Sequence, residues 1–468
     1  VLIAGAGDAG QMVAREMHTS KHVSQNLVGF VDDDPVKIGT VIHNVPVLGP
    51  LDDIPKLVES YKIQEVIIAM PEVSGSVIRR VVEHCEGSGI TAKTLPGIYE
   101  LISGEVSVNL LREVQIGDLL RRQHVRVGSS RVKKLLAGKR VLVTGAGGSI
   151  GSELCEQIVL CSPAKLIVFD HSENSLYQLP KRLSFWSEEE KKERLEIVIG
   201  DIRDRSRIDI IFSRYQPEIV YHTAAHKHVP LMEENIEDAV TNNIEGTRNL
   251  VELCQKYQIS HFVLISTDKA VEPISVMGMT KRVAELMVRK AAEETGFPYV
   301  SVRFGNVLGS RGSVVPLFQR QIAAGGPVTI THPEMERYFM TIQEAVQLVL
   351  QASAMGTNGE IFVLDMGEQI RIAELAQDII ELSGLEVGED IEILYTGLRP
   401  GEKISEKLYS QKESALGTDH EKIMIVKQEI SISTEMLKKK VDELVLLAEQ
   451  GEKDQLFTKL KKISAQDW

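Results

Sequence analysis

An apolar run that breaks into glycines, residues 140–151 (RVLVTGAGGSIG), leaves this chain few folds to choose from. A strand that apolar is covered on both faces, and the helix that follows it must start at once. Gly145 permits the sharp turn, Gly148 lets backbone approach a ligand, and Gly151 lets helix pack on strand. The helix then presents its first free N–H groups to the loop, a seat for a pyrophosphate. Apolar runs recur between helical stretches at 165–170 (KLIVFD), 195–201 (LEIVIGD), 218–225 (EIVYHTAA), 261–267 (HFVLIST) and 299–307 (YVSVRFGNV). Such alternation predicts a doubly wound parallel sheet.

A second version opens the chain. In VLIAGAGDAG, Gly5, Gly7 and Gly10 follow a strand, the next strand ends in Asp32, and 65–71 (EVIIAMP) and 74–88 continue the alternation. Asp32 there could accept from a ribose hydroxyl, or the glycines could serve packing alone; the residues leave both open. The polar, Arg-rich passage 118–139 reads as a connector. After Leu308 the pattern loosens, as in a lobe that covers a substrate, and 433–462 reads as a solvated, charged helix pair. The expected architecture is α/β with two Rossmann-like domains, the second a doubly wound parallel sheet with a smaller C-terminal substrate-binding lobe. The expected bounds are 1–117, a connector at 118–139, the main domain at 140–308, and a lobe at 309–468 with some chain crossing back to the sheet.

A chain of 468 residues exceeds one ordinary domain, and 43% apolar with 25% charged residues suits compact cores. The net charge of −13, with Lys and Arg dispersed, excludes the concentrated basic face that nucleic acid requires. The cysteines Cys85, Cys155, Cys161 and Cys254 lack metal spacing and read as free thiols of a reducing compartment. His222, His226 and His228 fit no ligand pattern either, so no metal is expected, and they read as loop and cofactor-pocket residues. No apolar run approaches the ~20 residues that cross a bilayer. Val1 already lies inside a strand with no initiator Met, so the chain reads as a fragment whose membrane segments, if any, lie upstream.

Asp170 ends the strand after the glycine loop, placed to accept from a ribose 2′-hydroxyl and to repel a 2′-phosphate, which favours NAD over NADP. Asp201, ending the next strand, is placed for the adenine amine. Thr267, Asp268 and Lys269 stand at the C-terminal end of a central strand, where doubly wound sheets hold their ligands.

With TGAGGSIG, AAHKHVP (224–230), NNIEGT (242–247), STDKAV (266–271), VMGMTKR (276–282), RFGNVLGSRGSVVP (303–316) and LRPGEK (398–403), the chain resembles the extended short-chain dehydrogenases. Within them it is similar to the UDP-N-acetylglucosamine 4,6-dehydratases over about residues 138–425. The N-terminal unit resembles the domain that follows the membrane helices in long, polysaccharide-locus members. The resemblance implies NAD held by Gly145, Gly148, Ser149, Ile150, Gly151, Asp170, Asp201, Ile202, Ala224 and Lys281. It implies UDP-N-acetylglucosamine as the substrate partner, met by Lys227, Asn306, Ser313, Val314, Pro316, Arg371, Arg399 and Glu402. It also implies a homo-oligomer working at the cytoplasmic face of a bacterial membrane for capsule or related glycans, tied to the membrane only through segments absent from this chain.

The superfamily pairs a tyrosine base with a lysine one helical turn on; here the lysine is Lys281 and Met277 stands for the tyrosine. A thioether is no base, so the expected chemistry moves to Thr267, Asp268 and Lys269. Lys269 would take the C5 proton and Asp268 protonate the leaving hydroxyl; a lysine base must first lose its proton, which the nearby charge of Lys281 favours. The rival expectations are a UDP-sugar 4-epimerase, which leans on the missing tyrosine, and a non-catalytic cofactor-binding protein.

Overall fold

The computed structural model describes residues 1–19, 26–71, 73–95, 111–119, 130–427 and 432–465. Much of the passage read as a connector, 120–129, lies outside the described residues. The chain divides into two compact units: Val1–Val127 with Asp378–Leu385, and Gly128–Gln377 with Glu386–Trp468. The first unit takes in a short segment, Asp378–Leu385, from within the region expected as the C-terminal lobe.

In the first unit, β1 (Leu2–Ala4), β2 (Gly29–Val31), β3 (Val41–Ile42), β4 (Val45–Gly49), β5 (Glu65–Ile68), β6 (Thr91–Thr94) and β7 (Arg112–Glu113) form one sheet. Its order is β3-β4-β2-β1-β5-β6-β7. β1 pairs in parallel with β2 and β5, and helix α1 (Asp8–Thr19) leaves the glycine loop.

The second unit is built on a nine-stranded sheet. Its strands are β8 (Arg140–Thr144), β9 (Lys165–Asp170), β10 (Leu195–Ile199), β11 (Ile219–His222), β12 (His261–Ile265), β13 (Tyr299–Arg303), β14 (Ile361–Leu364), β15 (Ser414–Gly417) and β16 (Ile423–Lys427). They lie in the order β10-β9-β8-β11-β12-β13-β14-β16-β15. Pairing is parallel from β10 to β14, and β16 and β15 close the edge antiparallel. The order reverses between β8 and β11, which opens a crevice beyond their C-terminal ends. β14, β15 and β16 are the chain from region 309–468 that crosses back to the main sheet.

Helices α2 (Ser149–Val159), α3 (Gly246–Lys256), α4 (Val276–Thr295) and α5 (Val314–Ala323) carry or flank the motifs. The charged C-terminal stretch corrects an expectation. Helices α6 (Thr434–Gln450) and α7 (Lys453–Ala465) are not a solvated pair. Leu437, Val441, Leu444, Leu456 and Leu460 are buried in the same core as Met279, Val283 and Met287 of α4. Their charges occupy only the outward face, and the apolar stripe between them has the i, i+4, i+7 spacing of a helix packed on one side.

Beneath α4 lies a buried ion cluster. Arg303 is fully buried; its Nε and Nη2 each donate to Glu285 at 2.7 Å, and its Nη1 donates to both oxygens of Glu413 at 3.0 and 3.1 Å. Ser266 Oγ adds a bond to Glu285 at 2.6 Å. Burial alone would push the Glu285 carboxyl up, but Arg303, Arg282 and Ser266 outweigh it and hold it below the ordinary carboxylate value. The cluster ties α4, β13 and the approach to β15 together. Glu285→Ala leaves the guanidinium buried with half its partners gone, and should cost about 3 kcal/mol or more of unfolding free energy in a denaturant titration at pH 7. The folded-state value lies below the unfolded 4.5. Glu285's contribution is therefore present above that pH and lost as the pH falls through the lower value, so the gap between wild type and variant should shrink in acid.

Candidate active site

The glycine loop after β8 is shaped by contacts that only glycine allows. Gly145 has φ +68°, and a Cβ there would stand 2.6 Å from the Ala224 nitrogen; a Cβ at Gly151 would stand 2.2 Å from the Gly145 oxygen. Gly148 is the N-cap of α2 and brings no side chain to that helix end. Asp170 Oδ2 accepts from the Gly147 N–H at 2.9 Å and Oδ1 from the Ser172 N–H at 2.8 Å. Each oxygen keeps a lone pair, so Asp170 is latched to the loop and still able to accept. Ser149, Ile150 and Ala224 line the loop half-buried. The cradle, the free helix end and the latched acid fit a dinucleotide whose ribose keeps its 2′-hydroxyl.

Two expected cofactor residues are already engaged. Asp201 takes Arg203 on both oxygens, at 2.6 Å for the shortest bond, and Arg203 holds its carboxyl below the ordinary value. The Ile202 side chain lies in the core against Gly246, where a Cβ would be 2.5 Å away. Sequence reasoning missed Arg311, whose backbone N–H bonds Ser149 Oγ at 3.1 Å. Its guanidinium bonds Ser175 Oγ at 3.0 Å and the Gly147 carbonyl. It therefore ties the segment ahead of Ser313 to the dinucleotide loop.

The N-terminal unit repeats the latch. Asp32 accepts from the Ala6 N–H at 2.8 Å and the Asp34 N–H at 2.9 Å, and a Cβ at Gly10 would stand 1.9 Å from the Gly5 oxygen. It differs in that Lys37 Nζ occupies Asp32 Oδ2 at 3.0 Å and Asp8 opens the helix.

At the end of β12, Thr267 Oγ1 accepts from the Lys269 N–H at 3.3 Å and donates to Asp268 Oδ1 at 2.8 Å. Lys269 Nζ donates to the same Oδ1 at 3.0 Å and to Asn306 Oδ1 at 3.4 Å. The structure thus brings Thr267, Asp268, Lys269 and Asn306 together. Asp268 is fully buried, and its Oδ2 has no hydrogen-bond partner. A shielded carboxylate oxygen without a donor is costly, and this one is open to a ligand or a proton. Helix α4 reaches this turn through Gly278, where a Cβ would be 2.2 Å from the Lys269 carbonyl.

Lys281 is buried on α4, and burial brings its ammonium down to about 8 against the opposing pull of Glu285. Met277, in the tyrosine's place, is packed in the core. His222 is no pocket residue. Thr247 Oγ1 donates to the Asn243 carbonyl at 2.6 Å, so it accepts from His222 Nε2 at 3.0 Å, and Thr144 Oγ1 bonds Nδ1 at 2.8 Å. Burial, then Lys281, holds the ring well below its ordinary value and neutral. Asn243 lies in a π-helical turn, Thr241–Glu245, and fastens the His226 backbone at 2.8 and 3.0 Å and Thr280 at 3.0 Å. Sequence reading had the NNIEGT motif but not this joint.

Among the remaining expected substrate residues, Ser313 begins α5 with a buried Oγ that has no partner; Val314 and Pro316 form the helix's first turn. Lys227 is exposed. Arg371 is exposed and 3.7 Å from Glu336. Arg399 is exposed, and its N–H is held by Glu402 Oε2 at 3.1 Å, so Glu402 is turned onto its own loop. Among the described residues no group of His, Cys, Asp and Glu is arranged to hold a metal, and no helix is long and apolar enough to cross a membrane.

The doubly wound sheet, the glycine cradle and the strand-end contact of Asp268 with Lys269 are those of a sugar-nucleotide-modifying enzyme of the extended short-chain dehydrogenase class. The chain belongs to the family described as polysaccharide biosynthesis protein, matched over residues 141–428; residues 1–96 match a CoA-binding domain. It is similar to the capsular polysaccharide biosynthesis protein CapD of Staphylococcus aureus, with 46% identity over 93% of this chain and 72% of that protein. It is also similar to the probable polysaccharide biosynthesis protein EpsC of Bacillus subtilis (strain 168), with 44% identity over 88% of this chain and 68% of that one. Among solved structures it resembles Pen from Bacillus thuringiensis, with 32% identity and a TM-score of 0.56 over 62% of this chain and 90% of that one.

Lys281 lends itself to a two-sided test. Its folded-state value of about 8 lies below the unfolded 10.5. The unfolded chain binds this proton more readily, so the lysine costs stability below pH 8 and the cost fades as pH rises toward 10.5. Lys281→Met should therefore stabilise the protein by about 3 kcal/mol at pH 7 in thermal or denaturant melts, with a shrinking gap at alkaline pH. Turnover should fall roughly 100-fold or more.

Proposed function

We propose that this chain dehydrates UDP-N-acetylglucosamine to a UDP-4-keto-6-deoxy-N-acetylhexosamine. The carrying observation is the contact of Asp268 and Lys269 at the end of β12, with a buried methionine in place of the usual base. Gly145, Gly148, Gly151 and Asp170 would hold NAD, with Lys281 at its nicotinamide ribose. When bound, the cofactor supplies the hydride sink at C4 and its return to C6. Thr267 orients O4, and Asp268 takes the O4 proton on the oxygen that has no partner. The resulting 4-ketone acidifies C5–H. Lys269, in its amine form, takes the C5 proton; the C–H electrons form C5=C6 as the C6–O bond breaks. Asp268 returns its proton to the departing hydroxyl, so water leaves and the carboxylate is restored; Lys269 then gives a proton back to C5 as hydride returns to C6, which restores its amine. Asn306 steadies Lys269, while Ser313 and the first turn of α5 offer the uracil a hydroxyl and an apolar wall. Arg399, with Arg371, would meet the diphosphate.

Similarity to two polysaccharide biosynthesis proteins supports a sugar nucleotide as substrate and a surface glycan as destination. An epimerase would leave substrate mass unchanged and has no use for an acid–base pair aimed at C5 and C6. Incubation of the chain with NAD and UDP-N-acetylglucosamine should yield, by mass spectrometry, a product lighter by one water with no net NADH. Lys269→Ala should abolish C5 deuterium uptake from heavy water while leaving NAD binding within about threefold. An isobaric product, or exchange surviving in Lys269→Ala, would show the assignment to be wrong.

A further inference from the structure

Glu406 has no part in the mechanism above, yet it is buried beside the catalytic lysine. It is 4% exposed, and its Oε1 lies 3.9 Å from Lys269 Nζ. Its Oε2 is 3.5 Å from Lys403 Nζ but forms no hydrogen bond. Lys269 thus stands between two carboxylates on different segments, Asp268 at 3.0 Å on its own turn and Glu406 at 3.9 Å. A shielded carboxylate with an idle oxygen calls for a reason beyond stability.

The segment that carries it is stitched to the catalytic turn at further points. Lys403 Nζ donates to the Val271 carbonyl at 2.9 Å, and Lys407 Nζ to Glu272 Oε2 at 3.1 Å. A Cβ on Gly401 would lie 2.6 Å from Glu233 Oε1, the same oxygen that accepts the Val276 N–H at 2.7 Å where α4 begins. Arg399 stands on the same segment, its N–H held by Glu402. A shift at Arg399 therefore has a direct mechanical route to Lys269, and a misplacement of about 1 Å at a reacting group can cost ~100-fold in rate.

We propose that Glu406 is a positioning residue that transmits the placement of segment 399–407 to the Lys269 amine, so that a nucleoside diphosphate held at Arg399 sets the catalytic lysine. The inference rests on the nucleotide-sugar reading of Arg399. Its consequence is that the diphosphate end of the substrate contributes to turnover and not to binding alone.

The test uses the full chain and UDP as the probe, with calorimetry for binding and peptide-resolved hydrogen exchange for transmission. In the wild type, UDP should slow exchange about threefold or more both at 399–407 and at 267–276. In Glu406→Gln, UDP should bind within about threefold of wild type and protect 399–407, but lose its effect at 267–276. With the sugar nucleotide, Glu406→Gln should lower kcat roughly 10- to 100-fold with KM little changed, and Glu406→Asp should recover part of it. If Glu406→Gln does not fold, Lys403→Met cuts the same link from its other side and should behave alike. Equal protection of 267–276 in wild type and variant, or protection in neither while UDP binds, would overturn the inference. Absence of UDP binding to the wild type would overturn it together with the nucleotide-sugar reading. UDP binding and transmission without dehydration would sustain it and sink only the dehydratase assignment.

Discussion

Arg303 sits wholly inside the second unit with a carboxylate on either side, and the geometry of the site hangs from it. Two bonds fix Glu285 on α4, and Lys281 lies one helical turn earlier on the same face. The cluster thereby sets the depth of the helix that carries the buried lysine. At its N-terminal end the same helix is pressed against the Lys269 carbonyl at Gly278, where a side chain would not fit. One buried guanidinium so holds two lysines from different segments to a common frame. On the outer side, α6 and α7 cover α4 with leucine and valine, which leaves that helix little freedom.

Within that frame the replacement of tyrosine by Met277 makes physical sense. A phenol at that place would need its hydroxyl satisfied, whereas a thioether packs into apolar surroundings without a partner. In the proposed reaction the polar work falls to Asp268, Lys269 and Thr267, whose bonds share a single oxygen, Asp268 Oδ1. The other oxygen has no hydrogen-bond partner, which suits the proton uptake and release proposed for it.

The glycine cradle was legible in the sequence because its constraint is local. Gly151 answers to the Gly145 carbonyl six residues back and Gly145 to its own left-handed backbone, although its Cβ would also meet the distant Ala224; strands β8 and β9 are runs of apolar residues with clear ends. The pairing of Asp268 with Lys269 was legible for the same reason. Glu406, Arg311 and the Arg303 cluster were not, since each depends on partners far along the chain and no spacing rule reports a burial partner. The helices α6 and α7 were misjudged because dense charge on one face hides a regular apolar stripe on the other. From sequence His222 reads as a pocket residue because a histidine near a strand end suggests chemistry; its two threonine partners instead make it a strut.

The proposed dehydration turns on one hydride leaving C4 and coming back at C6 of the same sugar. UDP-N-acetylglucosamine carrying deuterium at C4, turned over by the chain with unlabelled NAD, tests that directly by NMR of the product. Deuterium is expected on the C6 methyl group and none at C4. Deuterium retained at C4, or lost to the cofactor pool, would contradict it.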